Sequence, residues 1–362
     1  METQPRSEVI GSLLRPPRLK EAMERANGRP SEELRRLQDR AVLDAIRLQE
    51  DCGIDVITDG EMRRMYWFDP LTESLSGYGR DVAAPVPFTS GEGVSLEELR
   101  LPAVNAPLSI ARNLPLEEVQ YLREHTDRAF KATLPGLTYA SVLWVPGVSD
   151  RVYPDREEYL REAVRLVKEL VAQLVEAGVA YVQFDSPRYT HLVSEEGRAN
   201  LRRVGLDPES WLGQMIALDN EVMEAFPEVT FGLHLCRGNH RSMWSVEGGY
   251  DEIAERLFTE IAANRLMLEY DSPRSGTFAP LRFVPEGKTV VLGLITTKQP
   301  EVESADVLRR RLEEASEHIP LERLALSPQC GFASTLPGNK VTEDVQRRKL
   351  EVLGDVARAV WG

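Results

Sequence analysis

The sequence predicts an α/β protein built as a single (β/α)8 TIM barrel over residues 1–362, with a long excursion after the second strand. Three observations carry this expectation. Helical and β-rich runs alternate from end to end, eight strand-length segments can be counted, and the potential metal ligands and buried acids cluster at the C-terminal ends of those segments. Alternation of this kind favours parallel pairing through right-handed crossovers, and eight units in about this length suit a closed barrel better than an open sheet. With no internal repeat and no flexible linker, the 362 residues read as one domain rather than two.

In chain order, Glu8-Val9-Ile10 supplies the first strand. A helix over 31–50 leads through Gly53 into Ile54-Asp55-Val56-Ile57-Thr58. The stretch from 67 to about 115 is rich in Gly, Pro and Ser without a sustained period, and reads as a long excursion on the active face or an edge hairpin. A strand is expected over 136–143. The clearest helix follows Pro154-Asp155, because Leu160, Ala163, Val164, Val167, Val171 and Leu174 recur at three and four and Gly178 sits where a left-handed stop belongs. Strands then follow at 179–185, 229–236, 266–271, 289–296 and 324–327. Helices over 210–226, 251–264, 304–318 and 342–361 complete the alternation.

Lys and Arg number 44 against 58 Asp and Glu, a formal charge of −14, so the average field repels a phosphate backbone and an anionic membrane. No apolar run reaches spanning length and the first residues lack a signal-peptide core, so a soluble, cytoplasmic protein is expected. Cys52, Cys236 and Cys330 are too few for a disulfide framework, which leaves thiol or metal chemistry to consider.

The strand ends present Ser12, Glu61, Asp185, His234 with Cys236, Glu269 with Asp271, and Cys330. In His234-Leu235-Cys236, residues two apart on a strand share a face, so an imidazole and a thiolate can reach one ion. A buried Cys is more often a small hydrophobe, and a neighbouring His only hydrogen-bonded. Cys330, in Pro328-Gln329-Cys330-Gly331, adds a third ligand across the barrel mouth, and a mixed N/S set favours zinc. Glu269 or Asp271 offers the fourth; the alternative for either is an acid paired with Arg274. Glu61, in Asp59-Gly60-Glu61, is placed to hold a substrate ammonium or is a plain surface turn. Asp185 has the better claim, since an unpaired carboxylate ending an apolar strand is costly. Ile10-Gly11-Ser12 offers backbone N–H groups and a hydroxyl to a carboxylate. Trp67, Phe68 and Trp144 wall a pocket or belong to the core.

Taken in order, Ile10-Gly11-Ser12, Gly53-Ile54-Asp55-Val56 with Asp59-Gly60-Glu61, Gln183-Phe184-Asp185-Ser186-Pro187, His234-Leu235-Cys236, Arg274-Ser275 and Pro328-Gln329-Cys330-Gly331 resemble the catalytic C-terminal barrel of cobalamin-independent methionine synthase, over nearly the whole chain. The resemblance implies zinc-dependent transfer of a methyl or other alkyl group to a thiol, homocysteine to methionine in the first instance. His234, Cys236 and Cys330 match the family's zinc ligands. Its Glu ligand falls at Glu269 if the acid's identity is kept and at Asp271 if Arg274-Ser275 is aligned; Glu269 is preferred. Ser12, Glu61 and Asp185 match groups that hold the amino acid.

The chain also departs from that pattern. The family's second, N-terminal barrel is not seen, Asp185-Ser186-Pro187 stands for Asp-Glu-Pro, and Ile295-Thr296-Thr297-Lys298-Gln299-Pro300 replaces a Tyr-Asp-x-His-Ser stretch whose His is expected to protonate folate. These departures count against methyltetrahydrofolate and leave as donor a methyl-corrinoid presented by a corrinoid protein, a simple folate, or an epoxide or other electrophile opened by the thiol. A non-catalytic zinc, corrinoid or folate-binding barrel is the remaining alternative.

Overall fold

The computed structural model describes residues 4–26, 28–90 and 93–362. The chain is an α/β fold organised on a parallel sheet. Six strands pair in parallel in the order β10–β9–β8–β7–β6–β5, namely β5 (Ala132–Pro135), β6 (Tyr181–Asp185), β7 (Thr230–Leu235), β8 (Arg265–Glu269), β9 (Thr289–Ile295) and β10 (Leu324–Pro328). A second parallel pair joins β1 (Val56–Ile57) to β4 (Ala129–Phe130). Two isolated parallel bridges, Ser7 to Leu326 and Glu8 to Val56, tie the first segment to strands from both groups.

The sequence explains the helices between strands. Ser31, Asp155 and Thr342 each accept the backbone N–H three residues on, capping the helices Glu32–Asp51, Arg156–Glu176 and Glu343–Trp361. The apolar stripe anticipated on the second of these is buried in full, and Gly178 takes φ 84° just beyond its end. No helix among the described residues is long and apolar enough to cross a membrane.

One strand lies elsewhere than the sequence suggested. Residues 136–143 are not a strand; β5 ends at Pro135, and Leu137–Ala140 is a helical turn. Tertiary contacts decide this, since the Gly136 N–H donates to the Asp185 carbonyl at 2.9 Å and the buried Asp219 carboxylate takes the Leu137 N–H at 2.8 Å, starting the turn. Between β1 and β4 the chain forms an antiparallel hairpin of β2 (Leu75–Ser90) and β3 (Gly93–Ile110). Thr89 on this hairpin exchanges backbone hydrogen bonds with Trp244 in the loop after β7, at 2.6 and 2.9 Å.

At the N-terminal end of the strands, the Glu8 carboxylate is buried between Lys131 and Arg265, with the Tyr181 hydroxyl at 2.9 Å. Burial alone would raise its pKa, but the two cations outweigh this and hold it at about 2. With two cations on one carboxylate, burial instead draws Lys131 down. The charged cluster thus occupies the end of the sheet opposite the candidate site.

Candidate metal and active site

The C-terminal strand ends converge on one cavity, lined by Ile10, Ser12, Glu61, Asp185, His234, Cys236 and Cys330, with Trp67, Asn239 and Ser334 around them. Every substrate-side residue expected from the sequence is therefore in one place. His234 and Cys236 come from the end of β7 and Cys330 from the loop after β10; their ligand atoms lie within 4.8 Å of one another, and all three side chains are buried.

This group fits a soft metal. Neither ring nitrogen of His234 has a hydrogen-bond partner although both are buried, a costly arrangement for a group that could bond to water outside. The Cys236 thiol and, against burial, the neighbouring His234 ring hold Cys330 well below the usual thiol range, so the donor set already favours a thiolate. Its companion Cys236 is raised, mainly by Cys330 and burial.

The carboxylate expected as fourth ligand lies outside the three-residue group. Glu269 is fully buried, with one oxygen accepting the Arg237 N–H at 2.9 Å and the other paired with Arg274. Asp271 accepts from the same Arg274 at 2.8 Å. The structure thus brings His234, Cys236 and Cys330 together and places both acids on Arg274.

Asp185, at the end of β6, lies beside His234 in the sheet register and accepts the Gln183 amide at 2.7 Å. Burial pushes its pKa up to about 7, with His234 opposing and Glu61 adding to the rise. Glu61 is reached through an unusual backbone: Gly60 and Glu61 both lie in the left-handed region, at φ 72° and 55°. The turn is held by the Asp59 carboxylate on the Glu61 N–H at 2.8 Å and by Arg15 on the Glu61 carbonyl at 2.9 Å. Its side chain accepts from Ser12, from Thr133 at 3.3 Å and from Arg64 at 3.1 Å. Arg64 is shared with Glu118 through a two-pronged contact at 2.9 and 2.6 Å, and burial pushes the Glu118 carboxyl up to about 7.

Sequence reasoning missed several supports. Asn239 donates to the Gly331 carbonyl at 2.6 Å and to Ser334 at 2.9 Å, and accepts from the buried Lys298 ammonium at 3.1 Å. Arg237 anchors the loop after Cys236 by reaching the Glu269 carbonyl, Tyr250 and the Gly248 carbonyl. Their position directly after the His-x-Cys strand was the one available clue. Of the aromatics, Trp67 lines the cavity, whereas Phe68 stacks on Tyr139 in the core. The loop of Gly11 and Ser12 packs so closely on that of Cys330 and Gly331 that a Cβ on Gly331 would lie 2.6 Å from the Ser12 nitrogen. Glycine is required there because backbone meets backbone.

The fold and the cavity define an α/β enzyme class whose site opens at the strand C-termini, and comparison with known proteins narrows it. The family described as "Cobalamin-independent synthase, Catalytic domain" matches residues 8–357. The uncharacterized protein YxjH of Bacillus subtilis is 35% identical over 98% of this chain and 94% of its own. The methionine synthase of Pyrococcus abyssi is 24% identical over 84% of this chain and 78% of its own. Among solved structures, a candidate vitamin-B12-independent methionine synthase from Listeria monocytogenes superimposes with a TM-score of 0.72, at 26% identity and full coverage of both chains. The chain belongs to the cobalamin-independent methionine synthase catalytic-domain family, a family of methyltransferases that use zinc.

Proposed function

We propose that this chain is a zinc-dependent methyltransferase that alkylates a substrate thiol, with homocysteine to methionine as the reaction. The observation that carries the reading is the convergence of His234, Cys236 and Cys330 within 4.8 Å on a cavity that also holds Ser12, Glu61 and Asp185. The two isolated bridges at Ser7 and Glu8 support a closed (β/α)8 barrel of one domain over 1–362, with the hairpin as its excursion. A small-molecule thiol and alkyl donor in the cytoplasm fit this picture, whereas a corrinoid-protein partner finds no support in the relatives.

His234, Cys236 and Cys330 would hold the metal, with Glu269, on the strand next to that of His234, as the fourth ligand and Asp271 as its alternative. Zinc bound there supplies a thiol deprotonated at neutral pH, which a free thiol of pKa about 8.5 largely is not. The rest is positioning. Glu61 and Asp185 bind the ammonium of the amino-acid thiol, while backbone N–H groups around Ile10 and Ser12 donate to its carboxylate. Trp67 limits water at the sulfur.

Metal analysis of the protein and of Cys236→Ser and Cys330→Ser tests the assignment: about one zinc per chain is expected in the first and a large loss in each variant. Undiminished zinc in both variants would remove it. A second reading, opening of an epoxide by the thiol, is favoured by the buried Lys298 ammonium, held at 3.1 Å by Asn239 on the cavity wall.

A further inference from the structure

A second cavity of about 460 Å³ opens beside the first on the same face. The chain passes directly from one to the other, since Pro187 lines the thiol cavity and Arg188 the second. Its walls carry Trp144, Arg156, Arg188, His191, Ser194 and Trp211.

The charge of this cavity is unusual for an acidic protein. Among the described residues the side chains of Arg156 and Arg188 make neither an ion pair nor a hydrogen bond, in contrast to the buried Arg64, Arg237 and Arg265. The Arg156 Nε is buried without a partner, and its guanidinium lies over the Trp144 ring, 5.3 Å from the centroid. Trp144 is itself fixed by its ring N–H on the Tyr153 carbonyl at 3.1 Å. Burial lowers both guanidiniums from their ordinary value, and no carboxylate among the described residues offsets it for either. His191 is held at about 3 by burial and by Arg188, leaving a neutral ring able to donate one hydrogen bond. Ser194 caps the helix Glu195–Arg203, whose first turn faces the same space. Among the described residues the one acid on the wall, Glu196, is exposed.

Desolvated cations without counter-charges are costly unless an anion meets them. We infer that this second cavity binds the carboxylate or phosphate group of a small anionic ligand through Arg188 and Arg156. The volume is within the range of sites that enclose a small organic molecule. The aromatic walls of Trp144 and Trp211 favour a ligand with a flat or apolar body behind its charged end.

Calorimetric titration with phenyl phosphate, benzoate and neutral benzyl alcohol tests the site, using the wild type and the Arg188→Gln, Arg188→Lys and Arg156→Gln variants. Both anions are expected to bind at least tenfold more tightly than the alcohol. Arg188→Gln should weaken them about tenfold or more, and Arg188→Lys, which keeps the charge but not the fork, should weaken them less. Equal binding of the alcohol, or anion binding unchanged in Arg188→Gln and Arg156→Gln, would overturn the inference. Repeating the titration in Cys236→Ser separates the two readings: anion binding retained there, with zinc lost, leaves this site standing whatever becomes of the alkyl transfer.

Discussion

The Lys298 ammonium donates to the Asn239 side chain at 3.1 Å, and both groups are buried. Asn239 in turn holds the Gly331 carbonyl, one residue beyond Cys330. A cation is thereby fixed one side chain away from the thiol cavity.

On the epoxide reading, replacing Lys298 with Met is expected to lower ring opening by about a hundredfold while zinc and thiol binding persist, the range typical for removal of a general acid. Steady-state kinetics with homocysteine and a panel of donors provides the measurement. Thr296-Thr297-Lys298-Gln299 stands where the family pattern has its proton-donating His, so monoglutamyl methyltetrahydrofolate is expected to be a poorer donor than an epoxide or a methyl-corrinoid. A folate rate equal to the best of these would contradict the assignment.

Glu61→Gln and Asp185→Asn are expected to weaken binding of homocysteine by roughly 1.5–3 kcal/mol each and to leave zinc in place. The same substitutions should leave a thiol without an amino group almost unaffected. Because Arg64 keeps Glu118 as a partner, Glu61→Gln does not strand a buried cation. Calorimetry with the two thiols decides the matter, and equal losses for both would assign the acids another role.

Glu8 gives a pH signature of stability rather than of activity. Its carboxyl is held at about 2 in the folded chain against an ordinary 4.5, so the folded state binds its proton less readily than the unfolded one. The stabilisation, roughly 3 kcal/mol, is complete above pH 4.5 and is lost as pH falls from there toward 2. Glu8→Gln should abolish that part of the acid dependence and, by leaving Lys131 and Arg265 facing each other, destabilise the fold by about 3–5 kcal/mol at neutral pH. Denaturant unfolding at several pH values reads both effects.

Gly331→Ala places a methyl group 2.6 Å from the Ser12 nitrogen and 3.0 Å from the Gly11 carbonyl carbon. A loss of about 1–3 kcal/mol is expected, accompanied by weaker zinc retention because Cys330 moves with the same loop. Thermal unfolding followed by metal analysis would show it; full zinc retention despite the lost stability would mean that the two loops are independent.

Much of the site was legible because its signals are local. His234 and Cys236 are linked by the two-residue repeat of a strand, and Asp185 by its place at the end of an apolar run. The partners of Glu61 were not legible, since Arg64 is shared with Glu118 from a helix far along the chain and only packing brings them together. The environment of Glu269 was hidden for a similar reason. Sequence offers both a ligand and an Arg-paired acid, and the contact with Arg274 is settled by the turn after β8. The misplaced strand at 136–143 shows the limit most clearly: its apolar content suits a strand, but Asp219 from another helix captures the Leu137 N–H and turns the chain.

The close seating of Gly11 on Gly331 also bears on the order in which the molecule matures. Ser12 accepts the N–H groups of Phe332 and Ala333, and Asn239 fastens Gly331 from a third loop, so the cavity closes through contacts between segments near opposite ends of the sequence. Contacts of such long separation form late, after the loop-closure entropy has been overcome. During synthesis His234 and Cys236 leave the ribosome well before Cys330, so a nascent chain holds at most two of the three donors. Metal capture then becomes a terminal event of biogenesis, and metal content an indicator of how many molecules in a preparation have completed their fold.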